Sequence, residues 1–340
     1  MSNVRLIIVI LSLLLLPMVS FSPSQSAYVP VFDGDNAFTY LTDQCDFGPR
    51  PPGSENLSAC RNYISNVLVS EGWNVSLQYF TYHEVECANI IATWTPQNSS
   101  IFVLGAHYDT RPHADQEADS EDRIQPVLGA NDGASGVAAL LELARVLPNT
   151  TRSLVELVFF DAEDSGYIDG WDWIVGSTYY VNQLTSSKKD SITAMILLDM
   201  IGDANLRIPR EASSTDSLQD SLWNIAADLG YDNVFLDTGG SSILDDHRPF
   251  LDAGIPAVDL IHTPFPWTWH TLHDTPENCS PDSLEAVGRV IEYFLVDMTG
   301  SEATTPFPTD SPFDFTGLMV LSIPLIVVVI VVLAYFRKRK

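Results

Sequence analysis

Apolar runs alternate with amphipathic stretches from about residue 33 to residue 298. Asp33 to Asp46 and Leu57 to Ser70 read as helices, separated by a segment rich in Gly and Pro from Phe47 to Ser54. Val75 to Tyr82 and Ala88 to Thr93 read as strands. Ile101 to Ala106 reads as a buried strand, and Leu154 to Phe160 and Thr193 to Met200 as two more. The polar, acidic stretch Thr110 to Pro126 reads as a loop. Gly133 to Leu147 carries the clearest helical period. Val137, Leu140, Leu141, Ala144 and Leu147 fall on one face at the i, i+3, i+4 spacing. Trp173 to Leu184, Ser217 to Leu229 and Pro281 to Val296 are further helices, and Pro256 to Ile261 a short strand. Strands alternating with helices predict an α/β fold. The expectation is a three-layer sandwich, with a mostly parallel mixed sheet and helices on both faces. No break in composition divides the domain expected over residues 28–299.

The ends follow a different pattern. Arg5 precedes an apolar run from Leu6 to Leu16, the arrangement of a secretory signal. Residues 1–27 are therefore expected to be a signal peptide. Residues 300–316 are rich in Thr, Pro and Ser and read as an extended stalk. Gly317 to Phe336 is an apolar run of about the 20 residues that cross a bilayer. Residues 337–340 are Arg-Lys-Arg-Lys, which by the positive-inside rule form a cytoplasmic tail. A single-pass protein follows, anchored in the lipid bilayer, with the domain of residues 28–299 extracellular or luminal.

Charge and cysteine content narrow the partners. The formal net charge is −27, and a surface that acidic repels nucleic acid. Asn-x-Ser/Thr sites at Asn56, Asn74, Asn98, Asn149 and Asn278 allow glycosylation of an exported chain. Cys45, Cys60, Cys87 and Cys279 permit two disulfides in three connectivities. No CxxC pair is present, which argues against a thiolate zinc site.

The chemistry lies at strand ends. His107, Asp132, Asp164, Asp199 and His270 are metal-ligand types, and imidazole with carboxylate suits zinc. Three of them directly follow or soon follow apolar runs, where open α/β sheets place their sites. Asp132, Asp164 and His270 make a three-ligand set with one open position. His107 and Asp199 make room for a second ion, with Asp132 bridging. Glu163, beside Asp164, is the natural general base. A lone Asp at a strand end is usually a cap, and Asp132 alone could cap the helix that follows. Five such residues at matching strand ends are harder to explain as caps.

Several stretches recur in order: Gly48-Pro49-Arg50 with Pro52-Gly53-Ser54, Gly105-Ala106-His107-Tyr108-Asp109, Asn131 to Gly136, Glu163-Asp164, and Asp199-Met200-Ile201-Gly202. With these the chain resembles the zinc exopeptidase superfamily (metallopeptidase family twenty-eight) over residues 35–298. That superfamily contains the bacterial leucyl aminopeptidases and the glutaminyl-peptide cyclotransferases, or glutaminyl cyclases. The C-terminal half is more similar to the cyclases, through Asp245 to Leu251, Gly254-Ile255-Pro256, Pro264-Phe265-Pro266 and Trp269-His270-Thr271. The resemblance implies a zinc aminopeptidase-like fold and one or two zinc ions. It implies Asp132, Asp164 and His270 as ligands of the cyclase zinc, with Glu163 as acid/base. Asp199 and Asp245 would hydrogen-bond near the substrate. Phe265, Trp269 and one of Trp171 and Trp173 would line the pocket. In two-metal relatives His107 and Asp199 complete the ligand set. The chain departs from the pattern at Asp164, where many relatives carry Glu, and at Leu244, where some cyclases carry a polar residue.

The activity expected from the resemblance is cyclisation of N-terminal Gln to pyroglutamate, with release of ammonia, on peptides or proteins with free N-termini. The alternative is a zinc aminopeptidase that uses the same residues. A receptor-like ectodomain without chemistry is the third reading, and the complete set of site residues argues against it.

Overall fold

The computed structural model describes residues 28–95 and 102–300. The expected signal peptide, the membrane span, the basic tail, the stalk beyond Gly300 and the glycosylation site at Asn98 lie outside the described residues. Among the described residues no helix is long and apolar enough to cross a membrane.

Polar caps start the first two helices. The Asp33 side chain accepts from the Asn36 N–H at the head of α1 (Gly34–Cys45), and Ser54 accepts from Leu57 at the head of α2 (Glu55–Ser70). A hairpin of β1 (Asn74–Tyr82) and β2 (Val85–Thr93) follows. Then come β3 (Phe102–His107), α3 (Ala134–Val146), the single turn α4 (Asn149–Arg152) and β4 (Val155–Phe160). Next are α5 (Val175–Gln183), α6 (Ser186–Ser191) and β5 (Ala194–Asp199). β6 (Ile208–Arg210), α7 (Asp216–Asp228), β7 (Phe235–Gly239) and α8 (Arg248–Asp252) lead to β8 (Ala257–Ile261) and α9 (Pro281–Met298).

The main sheet has six strands in the order β1-β2-β4-β3-β5-β8. β4, β3, β5 and β8 run parallel, while β2 pairs antiparallel with both β1 and β4. Every residue of β3, β4 and β5 is buried. That is why these strands read as unbroken apolar runs rather than as alternating ones. Their side chains divide by parity. Leu104, Leu157, Phe159, Ile196 and Leu198 pack into a large core with α1, α2, α3, α7 and α9. Val103, Val158, Phe160, Met195 and Leu197 face a smaller core with Tyr180, Val181 and Phe250 of α5 and α8. Helices thus cover both faces, as the alternation predicts, and the sheet is mixed.

Several short elements escape sequence reading. α4, α6 and α8 are too short to show a helical period, and β6 and β7 form a separate two-stranded sheet. Residue 28 onward is tied to α9 from outside: the Tyr28 hydroxyl and the Val31 and Phe32 N–H groups all donate to buried Glu292. The four cysteines are buried free thiols. Asn56, Asn74 and Asn149 are exposed.

Candidate active site

The parallel strands deliver their ends to one edge of the sheet. His107 is the last residue of β3 and Asp199 the last of β5. Asp164 follows β4 by four residues, Asp132 comes two before α3, and His270 lies in the turn after β8. All five are buried. His107 Nε2 lies 3.1 Å from both Asp132 Oδ1 and Asp199 Oδ1. His270 Nε2 lies 3.1 Å from Asp164 Oδ1 and 3.6 Å from Asp132 Oδ2. Asp132 therefore turns one oxygen to each histidine.

These residues suit zinc. Ligand atoms 2.0–2.1 Å from a tetrahedral ion lie roughly 3.3 Å from one another. The observed separations of 3.1 and 3.6 Å bracket that edge. Within each of the two sets, His107–Asp132–Asp199 and Asp132–Asp164–His270, the ligand atoms lie within 4.8 Å of one another. Asp164 Oδ2 is buried without a partner, which a cation would remedy. Asp132, Glu163, Asp164, Asp199 and Asp245 also line one cavity, and so many carboxyl groups call for a compensating positive charge.

Two carboxylates outside both sets hold the turns that carry them. Asp109 accepts from the backbone N–H groups of Glu163 and Asp164 at 3.0 and 3.1 Å. Asp274 does the same for Asn131 and Asp132 at 2.7 and 3.0 Å. The two clasps are alike, although they are 165 residues apart in the chain. Gly133 adjoins a cis peptide with Asp132, and a Cβ there would lie 2.6 Å from the His107 ring. Only glycine lets α3 begin so close to His107. Ala162, Met200 and His270 adopt left-handed φ of 61°, 50° and 55°. Such backbone costs about 1–3 kcal/mol at each non-Gly residue and gathers at functional sites.

The acidic segment Thr110 to Pro126, unremarkable in sequence, forms part of this site. Asp115 Oδ1 lies 3.3 Å from His270 Nδ1. Arg111 bridges Asp115 at 2.8 Å and the Asp164 carbonyl at 3.2 Å, and its guanidinium lies 4.6 Å from the Trp173 ring centre. Asp115 thus faces the far nitrogen of His270, and partners in that position behind a metal-bound histidine typically contribute 10- to 100-fold to metal affinity. Asp115→Ala is accordingly expected to weaken zinc binding by about 10- to 100-fold, read by competition with a zinc chelator. Wild-type affinity would remove Asp115 from this role.

The cavity measures about 270 Å³ and is lined by Asp132, Asp164, Asp199 and His270. Phe265 stacks on Trp269 at 4.4 Å, Trp269 on His270 at 3.8 Å, and Trp173 on His270 at 6.1 Å between ring centres. Trp173 lines the cavity. Trp171 does not. It sits against Tyr82 and His83, at 5.2 and 5.9 Å, because the chain turns back between Tyr167 and Trp171 and sends the two indoles apart. Asp161, just before the acidic pair, points away to accept from the Ala88 N–H and the Tyr108 hydroxyl.

Burial is the largest influence on Glu163 and Asp245. It pushes Glu163 well above the usual carboxylate range; nearby His107 pulls it down, and Asp245 and Asp164 push it further up. Burial and then Asp199 raise Asp245 to about 7. Asp245 Oδ2 has no partner.

The wall Ser242 to Asp245 is held from below by Glu211. Its carboxylate accepts from the N–H groups of Ser213, Ser214 and Ile243 at 2.9, 2.6 and 2.8 Å. Burial raises the pKa of Glu211, but His247, the Ile243 N–H and the Ser214 and Ser213 hydroxyls outweigh it and hold the carboxyl at about 2. A folded-state pKa below the ordinary 4.5 stabilises the fold above about pH 4.5, and that contribution is lost as the pH falls toward 2. Glu211→Gln should therefore cost about 2 kcal/mol at neutral pH. The Tm gap from wild type should narrow below pH 4.5. A gap that is constant with pH would contradict the ionised role.

Comparisons with known proteins agree with this geometry. Residues 89–295 match peptidase family M28. A glutaminyl-peptide cyclotransferase-like protein from Bos taurus is 28% identical, over 74% of this chain and 72% of its own. A leucine aminopeptidase precursor from Bacteroides thetaiotaomicron superposes with a TM-score of 0.74 at 36% identity, covering 79% of this chain and 98% of that one. A glutaminyl cyclase from the same bacterium, bound to N-acetylhistamine, gives 0.73 at 36% identity, covering 78% and 98%. A zinc-suited carboxylate–imidazole centre at the strand ends of a mixed α/β sheet, matched in sequence and in fold, makes this chain a member of peptidase family M28 and an enzyme of that zinc-dependent family.

Proposed function

We propose that the chain is a glutaminyl-peptide cyclotransferase, closing the N-terminal Gln of a peptide or protein into pyroglutamate. The observation that carries this reading is the cavity itself. It is sized for about one side chain, is walled by Trp173, Phe265 and Trp269, and holds Glu163 and Asp245, which belong to neither ligand set. Both reacting groups of an N-terminal Gln fit into such a space together, and the catalyst's task is then orientation and proton movement.

In the loaded site Asp132, Asp164 and His270 would hold zinc, whose charge offsets the negative charge that grows on the γ-carbonyl oxygen. Glu163 takes the proton from the α-amine as its nitrogen bonds to Cδ. It delivers that proton to the γ-nitrogen as the Cδ–N bond breaks, so ammonia leaves and no water is consumed. Asp245, in the cavity wall, accepts from the substrate's N–H groups. The aromatic walls pack the five-membered ring and exclude water, which would otherwise compete as a nucleophile.

A second reading, aminopeptidase, draws support from the completeness of the His107–Asp132–Asp199 set, which suits a second ion. Product mass separates the two. The zinc-supplied ectodomain is incubated with a Gln-led peptide. Loss of ammonia, abolished by chelator, supports cyclisation; loss of the whole first residue makes the enzyme an aminopeptidase. The same proposal places the enzyme at a bilayer. Residues 1–27 act as signal, 300–316 as stalk, 317–336 as anchor and 337–340 as a cytoplasmic tail, and nucleic acid is not a partner. Activity that stays soluble after the full-length chain is expressed and its membranes are sedimented would contradict the anchor.

A further inference from the structure

Leu244 is a wall residue of two cavities. On one side lies the carboxylate-lined pocket. On the other lies a cavity of about 370 Å³, bounded by residues of α5, α6 and α8. Lys189 and Arg248 line it, and Asp252 is the one acidic side chain in its wall. Arg248 reaches Asp252 at 3.5 Å, with Asp252 largely exposed, so the pair is weak. Lys189 forms no ion pair among the described residues. Two cations against one carboxylate give this wall a net positive charge in a chain of net charge −27, beside an acidic pocket. Between the two hollows Leu244 is 57% exposed, an apolar step from one to the other.

Because Leu244 lines both cavities, it gives a peptide with its first residue in the pocket a path from one to the other. An extended chain advances roughly 3.3 Å per residue, so the next few residues cross Leu244. We propose that the second cavity is a downstream substrate subsite. A side chain of the substrate packs on Leu244, and a carboxylate further along pairs with Lys189 and Arg248. That carboxylate belongs to an Asp or Glu side chain, or to the C-terminus of a short peptide. The assignment rests on the reading that the enzyme acts on peptide N-termini. The acidic pocket repels a carboxylate close to the first residue and the cationic cavity attracts one beyond it, so the preference depends on position.

The test uses Gln-led, C-terminally amidated alanine peptides in which one Glu is moved through positions two to five. At one downstream position Glu lowers KM by about tenfold relative to Ala, the factor that corresponds to about 1.4 kcal/mol. Salt weakens the gain, and the Lys189→Ala, Arg248→Ala double variant erases it. A non-amidated peptide that ends at the favoured position shows whether a terminal carboxylate serves equally. A flat profile, or a gain that survives the double variant, overturns the subsite. If the all-alanine peptide is cyclised but the profile is flat, the cyclase reading stands without the subsite. If no peptide is cyclised, the cyclase reading falls. The subsite is then read by calorimetric titration of the same series into Glu163→Gln, where equal affinities overturn it and one tighter position supports it.

Discussion

Glu163→Gln is expected to keep its zinc and to lose roughly 10²- to 10⁴-fold in kcat, the range that a positioned general acid–base contributes. The amide has nearly the shape of the carboxyl group and cannot carry the proton between the two nitrogens. Glu163 lines the cavity but belongs to neither ligand set, so the metal should stay. The Asp109 clasp binds the backbone N–H of residue 163, which the substitution leaves in place. KM should change little, because the lost interaction is made in the transition state and not in the ground state. The measurements are ammonia release and metal content of the same sample. A kcat within tenfold of wild type would remove Glu163 from the proton-transfer role in either the cyclase or the aminopeptidase.

Asp132→Ala is expected to abolish both zinc binding and turnover. Asp132 is common to the two ligand sets and turns a separate oxygen to each histidine. The fold should survive, since the substitution removes one negative charge from a buried crowd of carboxyl groups. The two histidines then report the number of ions. His270→Ala should also lose zinc. His107→Gln keeps a donor for Asp132 and Asp199, and in a one-ion enzyme it should retain the metal. Native mass spectrometry of the three variants reads this directly. A fully loaded Asp132→Ala protein would sink the assignment of both sets, and loss of zinc from His107→Gln would move the site toward two ions and the aminopeptidase.

Much of this site is legible in the sequence because local chain geometry carries it. A strand buried on both faces must be an apolar run, and a polar residue that ends such a run must lie at the sheet edge. β3 and β5 end in His107 and Asp199 for that reason. The helical period of α3 marks where Asp132 precedes it. The role proposed for Glu163 follows from its being next to a ligand type.

What the tertiary structure alone decides is pairing over long separations. Asp132 meets His107 and His270 only because α3 and the turn after β8 converge on the end of β3. Asp109 and Asp274 look like ordinary loop aspartates until two pairs of backbone N–H groups are brought to them. Asp115 lies in a polar acidic stretch with no periodicity, yet it folds against His270, which is 155 residues away in the chain. Trp171 and Trp173 have equal claims by sequence. A turn sends Trp173 to the cavity and Trp171 to Tyr82. The cationic hollow beside Leu244 assembles from three short segments, none with a pattern of its own. The physical reason is common to all of these: hydrophobic period records how each segment meets the core, whereas a polar contact records which segments meet each other, and only the packed sheet and its loops set that.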